Sequence, residues 1–310
     1  MIYVGYAFLI IFVVYILLSL ILGFMCFNNF LKVRTRRDYF DEKYLSKRYI
    51  NGNLIKMKEY NENNNYINVD IKSDDNINLH ARLLLKNDKR FVILIHGFRS
   101  ISNRLLEYAK FYDEHDFSVL LVDLRGHGYS DGHYIGMGYK DKYDIEEFIK
   151  YLKLNYGDDI EIVIHGFSMG AATTMNVIKD NDPCIKFAVE DCGFTNSRWE
   201  LKYKLRHDYH IPATPLYEFA YLFYLIATGN RYQKLQPIKS VKETNIPLLI
   251  VHGEKDTFVP VRHAYKLNEV CNSYHEMLIV KDAPHTMSYK FDNKTYEEYL
   301  LKFIDKFIIK

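Results

Sequence analysis

The chain has 310 residues, 48% of them hydrophobic, so it is long enough to bury a sizeable core in one large domain or two small ones. Lys and Arg (41) nearly balance Asp and Glu (39), and the absence of a strong positive field argues against nucleic acid as a partner. The four cysteines are scattered without metal-ligand spacing, which disfavours both a disulfide framework and a zinc site.

An uncharged and almost wholly apolar stretch occupies residues 2–27. At about 1.5 Å per residue, a helix of this length spans the roughly 30 Å hydrocarbon core of a bilayer. A cleaved signal peptide would instead have a basic first region, a shorter apolar run and small residues at the cleavage site. We therefore predict a transmembrane anchor over residues 1–28; a buried helix and a signal peptide are the alternatives.

Basic residues follow this stretch directly, whereas nothing basic except the terminal amine precedes it. They are Lys32, Arg34, Arg36 and Arg37. The positive-inside rule then predicts a single-pass protein of the cell membrane, with the lipid bilayer as partner of residues 2–27 and the bulk of the chain in the cytoplasm. Solvation of the helix end, or contact with anionic head groups, is the alternative role for this cluster.

The rest of the chain divides into a polar connector, residues 29–65, and a region of alternating strand and helix patterns, residues 66–310. The connector ends in an Asn-rich stretch, 61–65, for which no secondary structure is predicted. The predicted strands are 66–71, 77–85, 91–95, 118–122, 160–164, 185–189, 248–251 and 277–280. The predicted helices are 103–115, 141–154, 169–179, 261–270 and 295–309.

Short apolar runs suit strands that are covered on both faces, and their alternation with helices predicts a mostly parallel central sheet flanked by helices. An aromatic-rich helical pattern, residues 195–245, interrupts this alternation. An insertion at the C-terminal edge of such a sheet would cover a site there, so we predict a helical lid. Aromatic residues at helical spacing also commonly pack a core, which is the alternative interpretation.

A serine stands between two glycines in the stretch G-F-S-M-G, residues 166–170. An apolar strand leads into it and a helical pattern leaves it, which is the context that a nucleophile turn requires. A serine on so sharp a turn has a sparsely populated backbone conformation, and side chains at its flanks would collide where strand and helix pass closely. The pattern predicts Ser168 as nucleophile and Gly166 and Gly170 as the residues that permit the turn; a plain loop is the alternative.

A serine hydroxyl is a weak nucleophile unless a base takes its proton and a carboxylate orients that base. His285 follows the last predicted strand, and Asp256 follows the strand before it. The chain order Ser168, Asp256, His285 is the one expected of α/β-hydrolases. We therefore predict His285 as the base and Asp256 as the acid.

Other acids and histidines lie near these positions. Asp191, after the predicted strand 185–189, is the alternative for the acid; Asp282, a neighbour of His285, is the weaker one and is better interpreted as a loop residue. Further histidines sit at strand ends or in turns flanked by glycine, where a structural or supporting role is the better interpretation; they are His96, His127, His165 and His252. A metal site built from them is disfavoured, and no metal or cofactor is predicted.

Four stretches resemble α/β-hydrolases: F-V-I-L-I-H-G-F at 91–98, D-L-R-G-H-G-Y-S at 123–130, the serine turn, and the two loops that carry the acid and the base. Over residues 66–310 the chain looks like the broad serine-hydrolase group that includes lysophospholipase-like esterases and serine-aminopeptidase-like hydrolases of bacteria. The resemblance implies the α/β-hydrolase fold and a structural role for the D-L-R-G-H-G-Y-S loop.

The resemblance also implies roles for individual residues. Ser168 would be the nucleophile, His285 the general base and then acid, and Asp256 the orienting carboxylate. The backbone N–H groups of Phe98 and Met169 would form the oxyanion hole.

The predicted function is a serine hydrolase that cleaves a carboxylic ester, lipid-derived or an acylated small molecule, through an acyl-enzyme. An aminopeptidase-like amidase is the alternative; it would need an acidic pocket for the substrate amine, to which Glu190, Asp191 and Glu218 could contribute. A third hypothesis is a catalytically silent hydrolase scaffold that binds a partner or ligand at the membrane. The presence of every triad member in the expected order favours the enzyme.

Overall fold

The computed structural model describes residues 2–33, 53–234 and 236–308. Its first helix, α1 (Ile2–Cys26), continues into a π-helical turn at Phe27–Leu31. Among the described residues, Tyr3–Leu31 is the one helix long and apolar enough to cross a membrane, a property that an anchor and a signal sequence share. The predicted apolar helix is therefore present.

The predicted connector, residues 29–65, is described only at its two ends. At the first end, the N–H of Val33 donates to the carbonyl of His133 (2.8 Å) and the N–H of Ile135 donates to the carbonyl of Leu31 (3.0 Å), so this end lies against the domain. At the other end, α2 (Asn53–Asn63) covers part of the Asn-rich stretch, where no helix is predicted. Three of the basic residues on which the predicted membrane orientation rests, Arg34, Arg36 and Arg37, lie outside the described residues.

In the part of the chain that the structure describes, eight strands form one sheet in the order β1-β2-β4-β3-β5-β6-β7-β8. They are β1 (Ile67–Lys72), β2 (Asn78–Leu84), β3 (Arg90–Ile95), β4 (Ser118–Asp123), β5 (Glu161–Phe167), β6 (Ile185–Asp191), β7 (Leu248–Gly253) and β8 (His275–Val280). β2 is antiparallel to both of its neighbours, and all pairs from β4 to β8 are parallel. Each strand overlaps a predicted one, and the mostly parallel sheet is confirmed.

The helices predicted from the alternation of patterns are present and flank the sheet. They are α3 (Leu106–Glu114), α4 (Tyr139–Tyr156), α5 (Met169–Val177), α9 (Arg262–Val270) and α11 (Asn293–Phe307). Further helices of the described residues are α6 (Ser197–His207), α7 (Leu216–Thr228), α8 (Pro237–Glu243) and α10 (Ser288–Phe291). The central strands are largely apolar because both faces of the sheet are buried there: Ile93 and Ile95 pack in the core on one face, and Val92 and Leu94 pack in the core on the other.

The predicted lid, residues 195–245, contains α6, α7 and α8. α6 and α7 contribute side chains to the same cavity as Ser168. α8 instead packs on α5, where the hydroxyl of Ser240 donates to the side-chain oxygen of Asn176 (2.8 Å). The cover over the site is therefore built by the first two helices of the insertion.

The loop D-L-R-G-H-G-Y-S is held by a buried ion-pair network. The guanidinium of Arg125 donates two hydrogen bonds to Asp144 (2.5 and 2.6 Å) and two to Asp75 (2.9 and 3.1 Å). The side chain of Arg125 is 6% exposed and that of Asp144 only 1% exposed. These contacts support the structural role that the family resemblance implies for this loop.

Replacing Arg125 by leucine should lower the free energy of unfolding by about 3–5 kcal/mol, because the carboxylate of Asp144 stays buried without its partner. Urea unfolding of the purified protein measures this. The control is Lys89→Ala, which breaks the exposed pair with Asp159 and should cost less than about 1 kcal/mol. Equal losses in the two variants would contradict a stabilising role for the Arg125 network.

Candidate active site

Ser168 lies in the turn between β5 and α5, at the C-terminal edge of the sheet. Its backbone has φ 56° and ψ −113°, a conformation that residues with a side chain rarely adopt. The N–H of Ser168 donates to the carbonyl of Asp191 at the end of β6 (2.8 Å), which ties the turn to the neighbouring strand. The sharp turn predicted from the sequence is present.

Gly166 and Gly170 allow strand and helix to pass closely. A Cβ on Gly166 would lie 2.2 Å from the carbonyl oxygen of Gly170, and a Cβ on Gly170 would lie 2.2 Å from the carbonyl oxygen of Ile95. Both obstacles are backbone atoms, which cannot rotate away. The two glycines therefore have the role in the turn that the sequence predicts.

His285 links Ser168 to Asp256. Its Nε2 lies 2.9 Å from the Oγ of Ser168, and its Nδ1 lies 2.6 Å from the Oδ2 of Asp256. The Oδ1 of Asp256 accepts the backbone N–H groups of Phe258 (2.9 Å) and Val259 (2.8 Å). The structure thus brings the three predicted residues into one hydrogen-bonded chain, with serine at one end and carboxylate at the other.

The carboxyl of Asp256 is held ionised. Burial raises its pKa, but hydrogen bonds and charge interactions with His252 and His285 more than offset this, so the net pKa is well below the usual value. His252 Nε2 lies 2.8 Å from the carbonyl oxygen of Val259 and 3.4 Å from the Oδ2 of Asp256. His252 therefore supports the acid, in agreement with the supporting role predicted for it.

The alternative acids lie elsewhere. Asp191 accepts the hydroxyl of Tyr296 (2.9 Å), and Asp282 forms a surface ion pair with Lys255. Both ring nitrogens of His285 are already engaged by Ser168 and Asp256. The geometry therefore favours Asp256 as the partner of the histidine.

Other predicted structural histidines are neutral core residues. His96 Nδ1 lies 2.8 Å from the carbonyl of Gly97, and its Nε2 accepts the N–H of Leu124 (3.1 Å). His165 is enclosed between the hydroxyls of Tyr112 and Tyr296. Burial lowers the pKa of His96 to about 4 and that of His165 to about 3, so both rings are uncharged at neutral pH.

The predicted oxyanion-hole residues flank the serine. Met169 is the first residue of α5, where backbone N–H groups have no partner within the helix. The turn that carries Phe98 lies against the nucleophile, since a Cβ on Gly97 would be 3.8 Å from the Oγ of Ser168. Phe98, Met169 and Ser168 all border one cavity, which the predicted oxyanion hole requires.

This cavity has a volume of about 390 Å³ and a largely apolar lining, within the size range of small-ligand sites. The lid contributes Leu201, Leu205 and Tyr217, and the acid loop contributes Phe258. The end of α1 also contributes, through Cys26, Phe30 and Leu31, which sequence reasoning placed in the anchor and connector and not at the site.

Phe258 connects the lid to His285. Its ring stacks on the imidazole of His285 with centroids 4.7 Å apart, and the ammonium of Lys204 on α6 lies 3.4 Å from the centroid of the same ring. The position of His285 is therefore supported from the lid side as well as by Asp256.

The acidic residues proposed for an amine pocket do not meet in the cavity. Glu190 accepts the N–H of Gly193 (2.9 Å), and Glu218 pairs with Arg198 and Lys202 on the lid. The cavity instead contains Glu200, which sequence reasoning missed because it lies in a helix that is polar on most sides.

Glu200 is a buried carboxyl group beside the catalytic residues. Neither of its oxygens has a hydrogen-bond partner among the described residues, and the Nε2 of His263 lies 3.5 Å from its Oε2. Burial raises the pKa of Glu200 to about 7, although the positive charge of Lys204 opposes the shift. The cavity therefore gains a negative charge as the pH rises through neutrality.

Glu200→Gln should change the discrimination between charged acyl groups, and only above neutral pH. At pH 8.5 the ionised carboxylate attracts an ω-ammonium acyl chain and repels an ω-carboxylate chain of equal length. The variant should lower the ratio of kcat/KM for the two esters by about tenfold at pH 8.5, and by less than about twofold at pH 5.5, where the wild-type carboxyl is protonated. Steady-state hydrolysis of the paired 4-nitrophenyl esters measures both ratios.

The control for this prediction is Glu218→Gln, which removes a lid carboxylate outside the cavity lining. It should leave both ratios unchanged. A pH-independent effect of Glu200→Gln would contradict titration of this group in the cavity.

One trio near the serine has the composition of a metal site. The Sγ of Cys192 and the facing atoms of Asp256 and His285 lie within 4.8 Å of one another. Burial raises the pKa of the Cys192 thiol well above its usual value, whereas metal binding requires the thiolate. Because a thiol that keeps its proton is a poor metal ligand, the trio does not fit a metal centre well.

Comparison with known proteins agrees with this architecture. The family model described as serine aminopeptidase, S33, matches residues 86–205, which include Ser168 but neither Asp256 nor His285. The uncharacterized protein YqkD of Bacillus subtilis is 29% identical over 217 residues, covering 69% of this chain and 70% of that protein. The uncharacterized protein YfhR of Escherichia coli is 25% identical over 224 residues, covering 70% and 71%.

Solved structures share the fold. The esterase Pf2001 of Pyrococcus furiosus superposes with a TM-score of 0.65 at 24% identity, covering 81% of this chain and 94% of that one. Est1E of Butyrivibrio proteoclasticus, solved with ferulic acid bound, superposes with a TM-score of 0.61 at 20% identity, covering 78% and 100%. Together with the sheet order and the serine turn, these matches show that the chain has the α/β-hydrolase fold.

Proposed function

We propose that the protein is a serine hydrolase that cleaves a carboxylic ester through an acyl-enzyme. The observation that carries this proposal is the hydrogen-bonded chain from the Oγ of Ser168 through His285 to Asp256, at the wall of a largely apolar cavity. An apolar cavity favours an acyl group that is itself apolar, from a lipid or an acylated small molecule.

The chemistry follows from the geometry. The Oγ of Ser168 attacks the ester carbonyl while the Nε2 of His285 takes its proton, and the imidazolium that forms is stabilised by Asp256. The N–H groups of Phe98 and Met169 donate to the oxyanion; losing one such donor typically costs about 3 kcal/mol of transition-state stabilisation. His285 then returns the proton to the leaving alcohol, and water, activated by the same nitrogen, hydrolyses the acyl-enzyme to the acid and free Ser168.

An amidase that accepts an amine-bearing substrate is the second candidate. The observation that favours it is Glu200, a carboxyl group in the cavity whose ionised form would attract an ammonium group. A single carboxyl group with a pKa of about 7 is only partly ionised at neutral pH and would bind an ammonium group weakly. We therefore favour the esterase.

A fluorophosphonate probe tests the nucleophile. We expect the wild type to be labelled and Ser168→Ala to remain unlabelled while keeping the same circular dichroism spectrum. Absence of labelling in the folded wild type would overturn the hydrolase proposal and favour the silent scaffold. A panel of esters with graded acyl length, assayed beside amino-acid amides, then separates esterase from amidase.

We propose further that α1 anchors the enzyme in the cell membrane with the catalytic domain in the cytoplasm. The length and composition of Tyr3–Leu31 support the anchor, and the basic residues that follow it support the orientation. A C-terminal epitope tag should be digested by protease in inside-out vesicles and protected in right-side-out vesicles. The reverse pattern would overturn the orientation, and recovery of the tag in the soluble fraction would overturn the anchor.

A further inference from the structure

The end of the apolar helix is part of the catalytic domain. Phe27 and Leu31 are 7% and 6% exposed and belong to the main hydrophobic core, and the ring of Phe27 stacks on that of Tyr134 with centroids 5.6 Å apart. Backbone hydrogen bonds join residues 31–33 to residues 133–135. The helix therefore enters the domain as a packed element, with a fixed position relative to the sheet.

The same end forms a wall of the catalytic cavity. Phe30 and Leu31 border it together with Ser168. The guanidinium of Arg99, next to the turn that carries Phe98, donates to the carbonyl of Asn29 and lies 5.8 Å from the centroid of the Phe30 ring. A substrate held at the serine is thus in reach of side chains that continue directly from the apolar helix.

α1 and the lid helix α7 pack closely. Ser19 and Gly23 are buried on α1 at a spacing of four residues, and a Cβ on Gly23 would lie 2.7 Å from the Cβ of Phe219 on α7. The hydroxyl of Tyr15 donates to the carbonyl of Thr214, just before α7 (2.7 Å). Small residues at this spacing allow the close helix contacts that are common inside membranes.

The extent of this contact fixes how deep the domain must lie. The exposed part of α1 before the contact, residues 3–14, is about 18 Å long, which is shorter than the roughly 30 Å hydrocarbon core. The half of α1 that contacts α7 still exposes apolar side chains, among them Leu18 and Ile21. α1 can cross a bilayer only if this half, with α7 beside it, lies in the leaflet nearest the domain.

α7 has the surface that such a position requires. It runs in the same direction as α1, since Thr214 lies beside Tyr15 and Phe223 lies beside Phe27. Its one charged residue, Glu218, is paired with Arg198 and Lys202, and the exposed Leu222 (45% exposed) and Ile226 (74% exposed) follow it, level with the last turns of α1 and toward the domain. These continue the exposed apolar surface of α1. The occupant that fits the combined face is therefore the hydrocarbon of one leaflet.

We propose, on the basis of the proposed esterase function, that the substrate is a membrane-resident ester with a long acyl chain. It enters the cavity from the near leaflet, past the end of the apolar helix, and Phe30 and Leu31 form the wall against which its acyl chain lies. The anchor is then part of the substrate site as well as a tether.

The test compares two esters with the full-length protein in phosphatidylcholine–phosphatidylglycerol vesicles: 4-nitrophenyl palmitate dissolved in the vesicles and 4-nitrophenyl acetate in the surrounding water. The measured quantity is the ratio of the palmitate rate to the acetate rate. Ile226→Asp should lower this ratio by about tenfold or more, because a charge opposes insertion of α7. Phe30→Ala should lower it by about tenfold, because the acyl chain loses an aromatic contact.

Two controls match these variants. Leu154→Asp places the same charge at another highly exposed aliphatic residue, on α4, and Phe12→Ala removes a ring from α1 away from the cavity lining. Both should keep the wild-type ratio. An unchanged ratio in Ile226→Asp and Phe30→Ala would overturn this inference but not the proposed function. A wild type that cleaves the acetate but not the palmitate would do the same. A folded wild type that cleaves neither ester and takes no fluorophosphonate would overturn the proposed function and the inference with it.

Discussion

Replacing His285 by alanine should lower kcat for ester hydrolysis by about a millionfold, as loss of the base does in other triad enzymes. The imidazole is the group within reach of the Ser168 proton (2.9 Å) and is oriented by Asp256 (2.6 Å), so no neighbouring side chain can take its place. A sensitive fluorogenic assay of the purified variant measures this loss. The circular dichroism spectrum of the variant shows how much of it is folded, and kcat is calculated on that amount.

The matched control is His115→Ala. His115 is also partly buried, and its Nδ1 lies 2.7 Å from the carbonyl of Phe111 at the end of α3, away from the cavity lining. It should keep kcat within about twofold. Because the triad acts as a unit, the double variant Ser168→Ala/His285→Ala should be no slower than either single variant. A His285→Ala enzyme with more than about 1% of the wild-type kcat would contradict the assignment.

Replacing Gly170 by alanine should prevent stable folding, with a loss of about 4 kcal/mol or more in the free energy of unfolding. The added methyl group would lie 2.2 Å from the carbonyl oxygen of Ile95 and 2.7 Å from that of His96. Both belong to the end of β3 and the turn that follows it, so relief would require α5 to move away from the sheet. Urea unfolding, or the soluble yield where no folded protein is obtained, measures the loss.

Gly229→Ala separates this clash from backbone strain. Gly229 ends α7 with φ 64°, and no atom lies within 4 Å of the position of an added Cβ. Its replacement should cost only about 1 kcal/mol, the usual penalty for a side chain in the left-handed region. If Gly170→Ala were as mild as Gly229→Ala, the close passage of α5 over β3 would not be what requires a glycine at position 170.

The sheet, and the meeting of Ser168, Asp256 and His285 at its edge, could be predicted because their signals are local. Apolar runs of four to six residues mark strands that are buried on both faces, and the strands found overlap every one predicted. Ser168, Asp256 and His285 each follow such a strand, and parallel strands bring their C-terminal ends to one edge. The positions of these residues at the strand ends are therefore enough to predict that they meet, without knowing how the side chains pack.

The cavity lining could not be predicted because it depends on contacts between distant segments. Leu31 meets Ile135 more than a hundred residues away, and nothing near either residue indicates the pairing. For the pocket carboxylate, the sequence pointed to Glu190, on a central strand, but its side chain is enclosed and accepts the N–H of Gly193. Glu200 lies on a helix whose polar residues do not reveal which face turns inward.

The packing of Phe27 and Leu31 also limits how the protein can evolve. A membrane helix that only tethers a domain can be exchanged for another span or lost by truncation, and the domain keeps its stability. Here such an exchange would remove two side chains from the main core and the backbone partner of residues 133–135. We therefore expect this helix and its hydrolase domain to be inherited as a pair, and chimeras with foreign spans to need residues 27–33 from the original chain.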